Sequence, residues 1–257
     1  VADWTIFATP TMLWVTLLAV GLVGLSKGGL GGAFALAGVP IMSLVMPPVL
    51  AAAVLLPILI MMDAVSLWTW RGWRDWSVLK VMIPASLIGV GIAWALAAVT
   101  SDAMVRLLVG SVALAFVGRA VFGKFIGDAP SYRVATGWLW GTVAGFTSFV
   151  AHAGGPPFQV QVLPKKLDPK VYTGTSVIFF AVLNAVKVIP YAALGFFETR
   201  VLWSALIMLP LAVVTVRIGA AIIKRMRPEV FYPFTYVMIT LVGIKLVYEG
   251  LAGMLGG

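Results

Sequence analysis

Apolar residues run along the chain in eight long stretches, 11–46, 49–70, 77–100, 103–123, 134–163, 170–192, 200–223 and 230–253, separated by short loops that carry most of the charge. From Gly28 to Met62 there is no charged residue at all. A helix needs about 20 apolar residues to cross the hydrocarbon of a bilayer, and six of the stretches fit that length. Membrane β-strands instead alternate apolar and polar residues in segments of about ten, a pattern missing here. The remaining two stretches, 11–46 and 134–163, are about half as long again, and each is glycine-rich near its middle. The first holds Lys27-Gly28-Gly29-Leu30-Gly31-Gly32 and the second His152-Ala153-Gly154-Gly155-Pro156-Pro157. Glycine costs a helix about 1 kcal/mol and proline about 3, so continuous helix is not expected through either. Two straight crossings would need about 40 residues and a turn. Each long stretch therefore predicts a hairpin of short, broken helices with its glycine tip inside the membrane. The predicted fold class is an all-α polytopic membrane protein.

Composition sharpens this reading. Of the 257 residues, 61% are hydrophobic and 11% charged, under half the charge of an ordinary soluble domain. That excludes a soluble enzyme, a disordered chain and a coiled coil. The net charge of +9 would suggest nucleic acid on a soluble domain. Here the basic residues sit in loops between spans, so they read as cytoplasmic loops under the positive-inside rule, and no nucleic acid partner is expected. With no cysteine, disulfides, thiolate metal sites and thiol catalysis are excluded. Neither a cofactor nor a metal is expected.

The halves 1–128 and 129–257 share one order of elements: a long broken segment, then three plain spans. Lining up Pro48 with Pro169 sets Asp63 on Asn184, and lining up Pro84 with Pro210 sets Arg119 on Lys245. The basic loops are 71–80, 119–133, 164–170 and 224–227, whereas 47–48, 101–102 and 193–199 hold no Lys or Arg. If both long segments return to the side they enter from, all four basic loops become cytoplasmic. The halves are then inverted repeats and both termini are non-cytoplasmic, as in many secondary transporters. The location expected is a bacterial-type cytoplasmic (inner) membrane, the bilayer itself a partner; a homo-oligomer is compatible with such a chain.

Irregular backbone inside a membrane is tolerated where it is buried or lines a cavity, so the two tips are expected to meet near the midplane and build a site. Broken helices aim free N–H groups inward, which suits an anion. The candidate contacts at the first tip are Lys27, Gly28, Gly29, Gly31 and Gly32. At the second they are His152, Gly154, Gly155, Pro156 and Gln159, with Asn184 and Thr175 beside them. Asp63 and His152 are the candidates for proton coupling, and Asp63 could instead neutralise Lys27. Lys187, Arg119 and Lys245 read as reaching an interface. The tryptophans, Trp68, Trp70, Trp73 and Trp76 among them, read mostly as an interfacial belt.

The stretch from Gly24 through Lys27-Gly28-Gly29-Leu30-Gly31-Gly32 to Val39-Pro40 resembles the first-half motif of the TauE/SafE (TSUP) family. Gly145 to Pro157, followed by Gly174-Thr175-Ser176, resembles its second. His152 before the second glycine pair and Pro156-Pro157 after it depart from the common form. The resemblance implies an anion transporter, with sulfite or an organosulfonate as the small anionic substrate. Export follows from the membrane potential, since one charge across 100 mV is worth about 2.3 kcal/mol, roughly a 50-fold outward bias for a monoanion. The rival reading is an anion channel with the same glycine-lined basic pathway. Ser148 and His152, four residues apart, invite a catalytic reading, but a glycine-flanked serine elbow and an acidic cluster are both missing. No enzyme is expected.

Overall fold

The structure, a computed structural model, describes residues 5–30, 38–96, 101–126, 132–151, 153–193 and 197–255. Among the described residues, ten α-helices run in chain order: α1 (Pro10–Leu25), α2 (Gly38–Met42), α3 (Pro48–Trp70), α4 (Trp76–Ala95), α5 (Asp102–Ile126), α6 (Val134–Ala151), α7 (Gly155–Val162), α8 (Pro169–Ala193), α9 (Thr199–Arg225) and α10 (Pro228–Leu255). Among the described residues, seven helices are long and apolar enough to cross a membrane. The six plain spans fall on α3, α4, α5, α8, α9 and α10. Each long segment is a long helix, a break and a short helix: α1 then α2, and α6 then α7.

Proline marks these boundaries from the sequence. Pro10, Pro48, Pro169 and Pro228 open their helices, where the missing N–H would have no intrahelical partner anyway. Pro57, Pro84, Pro210 and Pro233 lie inside helices, as membrane spans allow.

The chain forms two compact units, one of residues 1–72 and 180–226, the other of 73–179 and 227–257. Each draws on both sequence halves, and the division falls within α8. In the first unit, α1, α2, α3 and α9 enclose a core that includes Val20, Met42, Ile58, Met62, Met208 and Val216. Backbones meet closely there: a Cβ on Gly28 would collide with the Val216 carbonyl, and one on Gly219 with that of Leu25. Such approach is how membrane helices gain packing energy without a hydrophobic drive between them.

The second unit uses the same device. A Cβ on Gly89 of α4 would collide with the Thr142 carbonyl of α6, and one on Gly145 with the Ser86 carbonyl. On α5 and α10, Gly110 lies against the Gly243 carbonyl, and Arg106 pairs with Glu249 at 2.7 Å. Asp75 caps α4 through the Ser77 and Val78 amides and pairs with Lys165. Burial pushes the Asp75 carboxyl up, but its bonds to Lys165 and Ser77 outweigh that and hold it below the ordinary aspartate range. In both units large apolar side chains lie uncovered, Trp14 and Leu18 in the first and Trp94 and Leu139 in the second, which lipid covers in an integral membrane protein.

Gly145→Ala is expected to lower the melting temperature of the detergent-solubilised protein, overpacking costing about 1–3 kcal/mol. Gly91→Ala, with nothing within 4 Å of its added carbon, should leave melting unchanged or raise it. Equal effects in a thermal melt would refute close packing of α4 on α6.

Candidate functional site

The helix of α1 gives way at Leu25 to a widened turn of π type over Ser26–Leu30. Within it Gly29 adopts φ 133°, a conformation strained for any residue with a side chain. A bare carbonyl in hydrocarbon costs several kcal/mol, and α3 supplies donors to two carbonyls of this turn. Ser66 Oγ donates to the Lys27 carbonyl at 3.0 Å, and Trp70 Nε1 donates to the Gly28 carbonyl at 3.1 Å.

Charge is matched by the same helix. Lys27 Nζ donates to Asp63 Oδ1 at 2.6 Å, the two side chains only 14% and 5% exposed. Asp63, Ser66 and Trp70 are spaced i, i+3 and i+7, so they share one stripe of α3. The other carboxylate oxygen, Asp63 Oδ2, accepts from Asn184 Nδ2 of α8 at 2.6 Å. Three residues on, Lys187 lies on the same side of α8. It is 2% exposed and close enough to feel the charges of Lys27 and Asp63. All these residues belong to the first unit.

Two sequence expectations change here. Lys187 does not reach an interface: it is buried beside a charge cluster that its place near the end of the span did not reveal. Trp70 is no belt residue, being 1% exposed with its N–H on Gly28 and the Lys224 ammonium 5.4 Å from its ring centroid. Trp68, by contrast, is exposed, with Arg71 over its ring at 4.3 Å. Ser66, Trp70 and Lys187 were missed as site residues, although the stripe through Asp63 and the i, i+3 relation to Asn184 were there to be read.

The residues of the second tip lie in the other unit. The Ala153 amide donates to the Thr147 carbonyl at 3.0 Å, and Thr147 Oγ1 donates to the Ala153 carbonyl at 3.2 Å, folding the tip back on α6. Gly154 precedes α7, with Gly155 and Pro156 in its first turn. A Cβ on Gly155 would meet nothing within 4 Å, whereas one on Gly154 would press on the Ala144 carbonyl and Ser148. Gln159 is buried and hydrogen-bonded with Tyr172. Gln161 bonds Thr136 and the Arg133 carbonyl, both at 2.8 Å. Thr175 accepts from the Asp75 amide at 2.8 Å and so steadies the start of α4. Gly31, Gly32 and His152 lie outside the described residues. Among the described residues, no three His, Asp or Glu gather as a metal site would require.

A protein-family model described as Sulfite exporter TauE/SafE matches residues 16–246. No curated protein and no solved structure matches the chain.

Removing one partner of a buried ion pair costs about 3–5 kcal/mol, because the other is left uncompensated. Asp63→Asn strips the carboxylate from both Lys27 and Lys187, whereas Lys27→Met leaves Asp63 with Asn184 and near Lys187. Thermal melts are expected to show the larger loss for Asp63→Asn. A larger loss for Lys27→Met would mean that Lys187 plays no part in the charge balance.

Proposed function

The chain belongs to the TauE/SafE sulfite exporter family, and on that footing we propose that it moves a sulfur oxyanion, sulfite or an organosulfonate, out across a bacterial-type cytoplasmic membrane by alternating access. The observation that carries this is the buried network of Lys27, Asp63 and Asn184 at the break after α1. An ionisable residue inside a span is expensive to keep and marks a pathway by default. Lys27 supplies positive charge in a largely buried setting, where attraction for an anion is stronger than at a surface. The potential drives a monoanion outward unaided, which is why export needs no coupling ion.

Alternating access by inverted halves draws support from the packing within each unit. Lining up Pro48 with Pro169 matches Gly24 with Gly145, and lining up Pro84 with Pro210 matches Gly89 with Thr215. Gly24 packs on Thr215 in the first unit, and Gly89 packs on the backbone of Thr142 and Phe146, flanking Gly145, in the second. In each, the broken segment of one half lies against the third segment of the other, as a repeated, exchanged design would have it. Both termini then face away from the cytoplasm. A reporter fused after Gly257 should be active only outside the cytoplasm; a cytoplasmic signal would break the inverted arrangement.

Counterflow in proteoliposomes tests the transport reading. Vesicles preloaded with unlabelled sulfite or sulfoacetate and given the labelled compound outside should accumulate it transiently above equilibrium. Lys27→Ala should slow that uptake at least about tenfold, the equivalent of about 1.4 kcal/mol. Conductive flux without accumulation would favour a channel. No flux of either compound would remove the sulfur-anion reading.

A further inference from the structure

The arrangement around Asp63 looks like an occupied anion site whose occupant is the protein itself. The carboxylate is held at both ends: Oδ1 by the Lys27 ammonium and Oδ2 by the Asn184 amide, each at 2.6 Å. This is how an oxyanion is gripped, each oxygen on its own donor, with at least one donor charged. Lys187, buried three residues on from Asn184, lies within electrostatic reach of both Lys27 and Asp63.

We propose that Lys27, Lys187 and the Asn184 carboxamide form the seat of a compact oxyanion, and that the Asp63 carboxylate fills this seat in the unloaded protein. The inference rests on the transport reading above. A sulfite ion or a sulfonate head group presents oxygens that share negative charge, as a carboxylate does, and can take the same donors. The substrate displaces Asp63 from Lys27, and Asp63 reclaims the lysine when the substrate leaves. An internal competitor of this kind weakens binding and speeds release, and it keeps the Lys27 ammonium paired while the carrier is empty. Asp63 lies on the stripe of α3 that also holds the Lys27 and Gly28 carbonyls. Displacing it therefore removes one of three ties between α3 and the broken turn, so loading is felt by a helix that frames the site.

The test is the Kd for sulfite of the full-length purified protein and its variants, with KM and maximal rate of counterflow alongside. Asp63→Asn removes the competitor while keeping the shape. It is expected to bind sulfite at least tenfold more tightly, with a lower KM and a lower maximal rate as release slows. Asn184→Asp adds a second carboxylate and should bind at least tenfold more weakly, as should Lys187→Met. A purely structural role for these residues would weaken binding in all three variants alike. Should Asp63→Asn prove too unstable to isolate alone, it is purified in sulfite, and sulfite should raise its melting temperature by more than it raises that of the parent protein. An equal or smaller rise, or an unchanged or weaker Kd, overturns the inference while parent counterflow leaves the transport reading standing. Absence of sulfite counterflow in the parent protein would instead count against that reading itself.

Discussion

The Lys27–Asp63 pair is the constraint around which the first unit is arranged. An ammonium and a carboxylate away from water each carry a desolvation penalty of several kcal/mol, and their attraction offsets it only when the geometry is close and the remaining valences are met. Here the contact is 2.6 Å, and the second carboxylate oxygen is taken by Asn184. Meeting those conditions draws the turn after α1, the middle of α3 and the later part of α8 to one place. Chain segments remote in sequence converge because each holds one member of a set that is costly to leave incomplete.

Beside the charges lies a backbone problem of the same kind. Glycine at position 29 lets the chain leave the helical path, and carbonyls at a helix end need partners from elsewhere. The answer is local and specific: a serine hydroxyl and an indole N–H from one helix face. Glycine on both sides of the contact with α9 lets the backbones approach closely, so the irregular turn is buried against protein rather than exposed to lipid. Two constraints, charge and backbone satisfaction, thus single out the same stretch of α3.

Much of this was legible in the sequence because the bilayer imposes its own length scale. The ends of α3, α4, α8, α9 and α10 follow from runs of apolar residues closed by charge or opened by proline. The breaks after α1 and α6 follow from glycine density. Lys27, Asp63 and Asn184 stood out because a polar residue in an apolar run has little to hide behind. Lys187 did not, since a lysine near a span end ordinarily extends to the interface, and only the fold shows a carboxylate waiting inward. Trp70 likewise has the composition of a belt residue and the location of a core one. The partition into units was not legible either. Hydrophobic periodicity reports which residues face protein, not which helix they face, so the pairing of α1 with α9 and of α4 with α6 had no local signal.

The three contacts that α3 makes with the broken turn have a mechanical corollary. Asp63, Ser66 and Trp70 lie along a single stripe and address, in order, a side chain and two successive carbonyls of the turn. A rotation of α3 about its own axis would carry all three away together, whereas a small slide along the axis would shift each toward the partner of another. The helix and the turn therefore engage at three points at once, and a rigid displacement of either loads all three together.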